Sequence, residues 1–176
     1  VGRIIEDPRV RGVTLTGSER AGAAVAERAG RNLKKSVLEM GGSDPLIVLE
    51  DAPLETTLDS ALFGRMFATG QCCVGTKRII VVGKQRGKEF LDGFLQRMMA
   101  LKAGDPQDPD TTLGPLASEK TLNILLDQIA LAKQHGGKVA TGGKRIDRPG
   151  FYLEPTVLTH IEQDNPIYRQ ELFGPV

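Results

Sequence analysis

One stretch decides the fold of this 176-residue chain: LIVLEDAPLETTLDSALFGRMFATGQCCVGTKRIIVV, from Leu46 to Val82. It has an apolar run at 46–49, apolar residues at helical spacing over 54–66, and a second apolar run at 79–82. The pattern predicts a strand, a helix and a strand. This is a βαβ unit, whose two strands are parallel because the helix carries the chain back across the sheet.

The same alternation extends to both sides of this unit. Upstream, the run 13–15 predicts a strand, followed by a helix from Ser18 to about Ala29. Downstream, the pattern predicts two more helices and two extended segments: 90–101, 122–132, 152–153 and 156–158. We expect the first of these helices to end at Gly104 and the second at Gly136-Gly137. Alternating strands and helices place the chain in the α/β class.

The composition excludes several classes of protein and partner. Lys and Arg number 23 against 22 Asp and Glu, so the formal net charge is +1. A nearly neutral surface gains little from nucleic acid or from an anionic membrane, and we expect neither as a partner. No apolar run approaches the roughly 20 residues of a membrane span, and no signal segment opens the chain.

The two cysteines, Cys72 and Cys73, are adjacent and cannot form a disulfide framework. Consecutive Cα atoms lie ~3.8 Å apart, below the ~4.4 Å that an unstrained disulfide needs. Reduced thiols are typical of the cytoplasm, so we expect a cytoplasmic protein. Neither His135 nor His160 has a cysteine or histidine at metal-ligand spacing, and no metal site is predicted.

Cys73 is the first candidate for chemistry. It lies between Gly70 and Gly75, and glycines allow backbone and ligand to approach closely. The thiolate is the most nucleophilic of the common side-chain groups. A free cysteine is also commonly a small, buried apolar residue. On the residues alone, both interpretations stay open.

Two further positions each have a functional and a structural interpretation. Glu39 precedes Gly41-Gly42, where a partly buried carboxylate can act as a general base, although the spacing alone favours an exposed glutamate at a strand end. Gly17 and Ser18 form a turn at the start of a helix. The free N–H groups of such a turn hold a phosphate in some proteins, whereas most such turns are only N-caps.

Taken in order, these motifs resemble the aldehyde dehydrogenase superfamily over essentially the whole chain. The matching stretches have the family's order and spacing, and they are 15–18 with Gly22, 38–42, 70–73 with Arg78, 104–106, 113–115, 142–143, 154–157 and 171–175. The stretch 41–52, with Ser43 where many relatives have lysine, resembles the succinate-semialdehyde dehydrogenase branch.

The resemblance implies a role for each candidate residue. Cys73 matches the catalytic nucleophile, and Glu39 matches the general base that activates the deacylating water. Four positions match the binding site of NAD or NADP: Gly17 and Ser18 beside the pyrophosphate, Glu171 at the nicotinamide-side ribose, and Phe173 packed beside it.

The resemblance also implies a Rossmann-like parallel sheet and two domains. Residues 1–40 match the C-terminal part of the NAD(P)-binding domain, and residues 41–176 match a catalytic domain that is incomplete at its C-terminus. We therefore expect an internal fragment of an enzyme that oxidises a small semialdehyde and assembles as a dimer or tetramer. The alternatives are a catalytically incompetent fragment with a structural or binding role, and a thiol hydrolase or esterase acting through Cys73 without nicotinamide.

Overall fold

The computed structural model describes residues 1–176 and divides them into two compact units, Val1–Gly42 and Ser43–Val176. The elements of the first unit are helix α1 (Gly2–Glu6), strand β1 (Gly12–Thr16), helix α2 (Glu19–Arg31) and strand β2 (Lys35–Glu39). β1 and β2 pair in parallel, and Thr16 lies opposite Glu39 at the end of the register. The predicted strand and helix of this region are confirmed.

Helix α2 begins directly after the predicted N-cap. Ser18 has extended backbone dihedrals, and its hydroxyl accepts a hydrogen bond from the Ala21 amide at 3.3 Å. Gly22 is buried on the inner face of α2, where an added Cβ would overlap the Met40 sulfur. A residue without a side chain therefore lets α2 lie close to the end of β2.

The second unit contains the predicted βαβ unit. Strand β3 (Pro45–Val48), helix α3 (Leu54–Met66) and strand β4 (Arg78–Val81) follow one another. β3 and β4 pair in parallel, with Leu46 opposite Ile79. Pro53 is the N-cap residue of α3. The α/β class is confirmed, since two of the three two-stranded sheets are parallel.

Two longer helices and an antiparallel pair complete the second unit. Its remaining elements are helix α4 (Lys84–Met99), helix α5 (Glu119–Gln134), strand β5 (Lys138–Thr141), strand β6 (Val157–Thr159) and a short 3-10 helix (Pro166–Arg169). α5 ends as predicted, because Gly136 follows it with a φ of +90°. The β5–β6 sheet is antiparallel, and β5 was not predicted. No helix is both long enough and apolar enough to cross a membrane.

Helix α4 ends earlier than the sequence predicts. Its last residue is Met99 and Ala100 caps it, so the expectation that Gly104 ends this helix was wrong. Gly104 lies in a loop instead, where its carbonyl accepts a hydrogen bond from the Tyr152 hydroxyl at 2.8 Å. An added Cβ would overlap the Thr111 hydroxyl, so a glycine is needed here because Thr111 packs directly against the backbone, not because a helix ends.

Two apolar clusters form the core of the second unit. The first surrounds α3 and α4 and contains Val48, Leu58, Ala61, Met66, Phe90, Phe94, Met98 and Leu113. The second surrounds α5 and contains Leu116, Leu122, Leu125, Ile129, Ala132, Leu153, Ile167, Leu172 and Val176. The end of α3 and the C-terminal segment 171–176 are therefore each anchored by a cluster. The segment between α3 and β4 carries both cysteines.

Candidate active site

The two cysteines lie in a turn between α3 and β4, which we call the cysteine turn (residues 71–75). The Cys72 carbonyl accepts a hydrogen bond from the Gly75 amide at 3.1 Å. Cys73 is exposed and Cys72 is half-buried. The amide N–H of Cys73 donates to no acceptor within the chain. This exposure argues against the interpretation of Cys73 as a small buried apolar residue.

The backbone just before the turn is in an unusual conformation. Ala68, Thr69 and Gly70 have φ values of +51°, +59° and +73°, so three successive residues are left-handed. Such residues persist only where their surroundings hold them. A Cβ on Gly70 would overlap the Gly174 carbonyl oxygen, so only glycine fits there. The chain therefore changes direction sharply between the end of α3 and the cysteine turn.

A buried guanidinium holds this conformation in place. Arg65 is 3% exposed and donates hydrogen bonds to the carbonyls of Thr76 at 2.8 Å, of Gly70 and Leu172 at 2.9 Å each, and of Gly174. Burial lowers the pKa of Arg65 to about 10, so the group remains charged at neutral pH. Arg65 therefore ties both sides of the cysteine turn to the C-terminal segment.

A buried ammonium holds the turn from within. The side chain of Lys77 is fully buried, and its Nζ donates to the Cys72 carbonyl at 2.8 Å and also to the Cys73 carbonyl. The same Nζ lies 3.8 Å from the Glu171 carboxylate. Sequence reasoning missed both Lys77 and Arg65. The available signals were a basic pair directly before an apolar strand and a lone arginine on the apolar face of a predicted helix.

Gln71 connects the cysteine turn to a second loop. Its side-chain oxygen accepts a hydrogen bond from the Ala117 amide at 2.8 Å, and its side-chain nitrogen donates to the carbonyls of Ala68 at 3.2 Å and Pro115 at 3.4 Å. Two stretches that the sequence singled out separately, 70–73 and 113–115, are thus linked through one amide side chain.

Glu171 lies beside the turn, and Phe173 follows it on the surface. The Oε1 atom of Glu171 is buried and accepts no hydrogen bond, although the Lys77 ammonium faces it. Phe173 is 38% exposed. The structure therefore brings Cys73, Lys77 and Glu171 to one place, and the carboxylate keeps an unused acceptor there.

The remaining predicted residues adjoin one another in the first unit. The Gly17 amide donates to the Glu39 carbonyl at 3.0 Å, and Ser18 follows as the cap of α2. The Glu39 side chain is exposed, so it is not the partly buried carboxylate that the sequence left open as an interpretation. Side chains alternate along a strand, and Leu38 points toward Gly22, so Glu39 points to the other face.

A cavity of about 430 Å³ lies in the second unit and is bounded by β4, α4 and β6. Arg65 and Lys77 contribute to its lining, but neither cysteine nor Glu171 does. Most of its walls are apolar side chains such as Phe90. An exposed thiol, a buried ammonium and a carboxylate converge on the cysteine turn, so this turn, rather than the cavity, is the candidate site. No group of three or more His, Cys, Asp or Glu side chains is placed to hold a metal ion.

Comparison with known proteins decides the family. The aldehyde dehydrogenase family model matches residues 1–176, the whole chain. The chain belongs to the aldehyde dehydrogenase family. This confirms the resemblance carried by the motifs.

Individual members of the aldehyde dehydrogenase family match over the same span. The chain is 49% identical to succinate-semialdehyde dehydrogenase (NADP+) of Deinococcus radiodurans, over 100% of the chain and 37% of that protein. The structure of succinic semialdehyde dehydrogenase from Streptococcus pyogenes, in complex with NADP+, matches with a TM-score of 0.95 and 46% identity, over 99% of this chain and 38% of that one. An NAD+ complex of aldehyde dehydrogenase from Bacillus cereus matches with a TM-score of 0.93 and 32% identity, over 98% and 35%. The chain therefore spans less than two-fifths of these relatives.

Proposed function

We propose that this chain carries the nucleophile and the general base of an NAD(P)-dependent aldehyde dehydrogenase that oxidises a small semialdehyde, such as succinate semialdehyde, to the acid. One observation carries the proposal: the exposed Cys73 thiol lies on a turn that two buried cations, Arg65 and Lys77, hold in place. The relatives named for succinate semialdehyde and NADP+ support the choice of substrate and cofactor.

Cys73 has the features that covalent aldehyde chemistry needs. Its sulfur attacks the aldehyde carbonyl carbon and forms a thiohemiacetal, in which the carbonyl oxygen becomes negatively charged. The amide N–H of Cys73 is unpaired and suits that oxyanion as a donor. Loss of a hydride from the carbon then leaves a thioester on Cys73. Sulfur serves both halves of the reaction, because it attacks readily and also leaves readily.

The residues present fit a nicotinamide dinucleotide. The unpaired, buried Oε1 of Glu171 can accept a hydrogen bond from a ribose hydroxyl. At Gly17 an added Cβ would meet nothing within 4 Å, and the N-terminus of α2 begins beside it, as phosphate binding requires. When bound, NAD+ or NADP+ accepts the hydride. Phe173, exposed next to Glu171, would pack beside the ribose.

Glu39 completes the cycle by removing a proton from the water that hydrolyses the thioester. Its exposed carboxylate is accessible to water in the first unit, which also holds Gly17 and Ser18. We accordingly assign residues 1–40 to the cofactor-binding domain and residues 41–176 to the catalytic domain. The boundary of the two compact units, after Gly42, supports this division.

The test uses the complete protein encoded by the reading frame that contains this chain. We expect it to reduce NAD+ or NADP+ with succinate semialdehyde. Cys73→Ser should abolish this activity, whereas its matched neighbour, Cys72→Ser, should retain most of it. Loss of activity in Cys72→Ser alone would place the nucleophile one residue earlier.

Rapid kinetics separate the base from the nucleophile. Glu39→Gln should slow thioester hydrolysis and therefore the steady-state rate, while the first-turnover burst of NAD(P)H stays. Disappearance of the burst itself would contradict the assignment of Glu39.

A second candidate is that this chain has no catalytic activity of its own. The chain covers only 37% of the Deinococcus radiodurans protein, which favours this candidate. The 176-residue chain, assayed beside the complete protein, distinguishes the two: turnover of aldehyde by the short chain rejects this candidate. Hydrolysis of p-nitrophenyl acetate by a complete protein that oxidises no aldehyde would instead favour a thiol esterase.

A further inference from the structure

Lys77 is the side chain that links the cysteine turn to Glu171. An ammonium has three N–H donors, and here two of them go to the carbonyls of consecutive residues, Cys72 and Cys73. The third faces the Glu171 carboxylate at 3.8 Å, which is an ion-pair distance but too long for a hydrogen bond. A buried ammonium is costly unless it is paired, and this one is shared between a nucleophile and a carboxylate.

The Cys73 carbonyl depends on this lysine alone. The Cys72 carbonyl also accepts the Gly75 amide, but within the chain the Cys73 carbonyl accepts only Lys77. Arg65 donates hydrogen bonds to the carbonyls on either side of the turn, Gly70 and Thr76, and to neither cysteine. Lys77 therefore fixes the peptide plane that follows Cys73, and with it the direction of the nucleophile's backbone and side chain.

We propose that Lys77 is a positioning residue that couples the Glu171 carboxylate to the orientation of Cys73. The ammonium holds the Cys73 carbonyl, and Glu171 holds the ammonium. A change in the charge at Glu171 therefore reaches the Cys73 carbonyl through Lys77, the side chain that contacts both. This inference rests on the proposed function for its catalytic meaning, whereas the coupling itself is a property of the three side chains.

The experiment measures alkylation of Cys73 by iodoacetamide in the complete protein, with neither aldehyde nor cofactor present. Peptide mass spectrometry reads Cys73 and Cys72 separately. Lys77→Met keeps an unbranched side chain one atom shorter and removes the charge, and we expect Cys73 alkylation to slow roughly tenfold while Cys72 is unchanged. Lys77→Arg should recover most of the rate. Lys88→Met, an exposed lysine on α4, is the matched control and should have no effect.

A double-mutant cycle tests the coupling. Glu171→Gln should change the Cys73 alkylation rate several-fold when Lys77 is present, and by less than about twofold in the Lys77→Met background. If Lys77→Met does not fold, as judged by circular dichroism, Lys77→Gln replaces it in the same cycle. Kinetically, Lys77→Met should lower kcat more than it raises KM for the aldehyde.

Three results overturn the proposal. They are Cys73 alkylation within twofold of the parent in Lys77→Met, faster alkylation of both cysteines, and independent effects of the Lys77 and Glu171 substitutions. Faster alkylation of both cysteines means a general loosening. Because alkylation needs no turnover, a protein that oxidised no aldehyde would refute the proposed function and leave this test intact.

Discussion

Replacing Arg65 with methionine should open the cysteine turn. Methionine fills a similar volume but donates no hydrogen bond, so four carbonyls lose a donor at once. Those of Gly70, Leu172 and Gly174 are buried and have little access to water as a substitute. The loss should be confined to the turn and to the C-terminal segment, because these are the parts that Arg65 holds.

The magnitude follows from two opposing contributions of Arg65. Hydrogen bonds to a charged group are worth ~1.5 kcal/mol or more each, so four contribute roughly 6 kcal/mol. Burial opposes this: it lowers the pKa of Arg65 from its usual range to about 10, and at ~1.4 kcal/mol for each tenfold change the cost is roughly 3 kcal/mol. The net loss in Arg65→Met is therefore about 3 kcal/mol, within the range seen when one partner of a buried pair is removed.

Hydrogen exchange under native conditions measures this loss locally. The Thr76 amide donates to the Gly64 carbonyl at 3.0 Å and reports opening of the turn. A loss of about 3 kcal/mol should speed its exchange more than about a hundredfold. The control is Arg97→Met on α4, where pairs with surface carboxylates are worth under ~1 kcal/mol. Exchange at Thr76 within about threefold of the parent in Arg65→Met would refute this account.

Three further outcomes are expected. Gly70→Ala places a Cβ on a left-handed residue and against the Gly174 carbonyl oxygen, so thermal unfolding should show a loss of stability of at least ~2 kcal/mol. The control is Gly87→Ala on α4, where the added Cβ meets no neighbour and stability should rise by up to ~1 kcal/mol. Ser18→Ala removes the cap of α2 and should cost ~1 kcal/mol, measured by urea denaturation. The hydrogen bond from Arg9 lowers the pKa of Asp7 to about 2, so its small stabilising contribution should be complete above pH ~4 and lost as the pH falls toward 2; a carboxyl NMR titration with a midpoint near 4 would contradict this.

The elements of this fold were predictable where local signals agreed. The βαβ unit follows from two apolar runs and a helical period, and the start of α2 follows from the capping residue Ser18, because each signal acts within a few positions of itself. The end of α4 was not predictable in this way. Glycine is typical of the residue after a helix, which is why Gly104 was predicted to end α4. A glycine is needed there for another reason: the backbone of Gly104 approaches Thr111 and Tyr152, which lie further along the sequence.

The residues of the candidate site show the same difference between local signals and contacts with distant residues. The resemblance predicted roles for Cys73 and Glu171, which stay predictions, and Cys73 also stands out in the sequence as a thiol between two glycines. Lys77 and Arg65 were not foreseen, because a basic residue in a sequence normally indicates a solvated surface. Their burial depends on carbonyls contributed by residues up to 109 positions away, as with Gly174.

The buried cations also explain how an irregular turn stays rigid while its amides remain available. Every buried carbonyl needs a hydrogen-bond donor. In a sheet the partner strand supplies that donor, but its own carbonyls also accept from the amide N–H groups of the first strand, so those amides are used up. Here Lys77 and Arg65 supply donors from side chains, so the carbonyls are satisfied and the Cys73 N–H stays unpaired. Under the proposed function, this asymmetry leaves the Cys73 amide free to donate a hydrogen bond to the oxyanion. Charged side chains that only donate, and never accept, are the residues that can provide it.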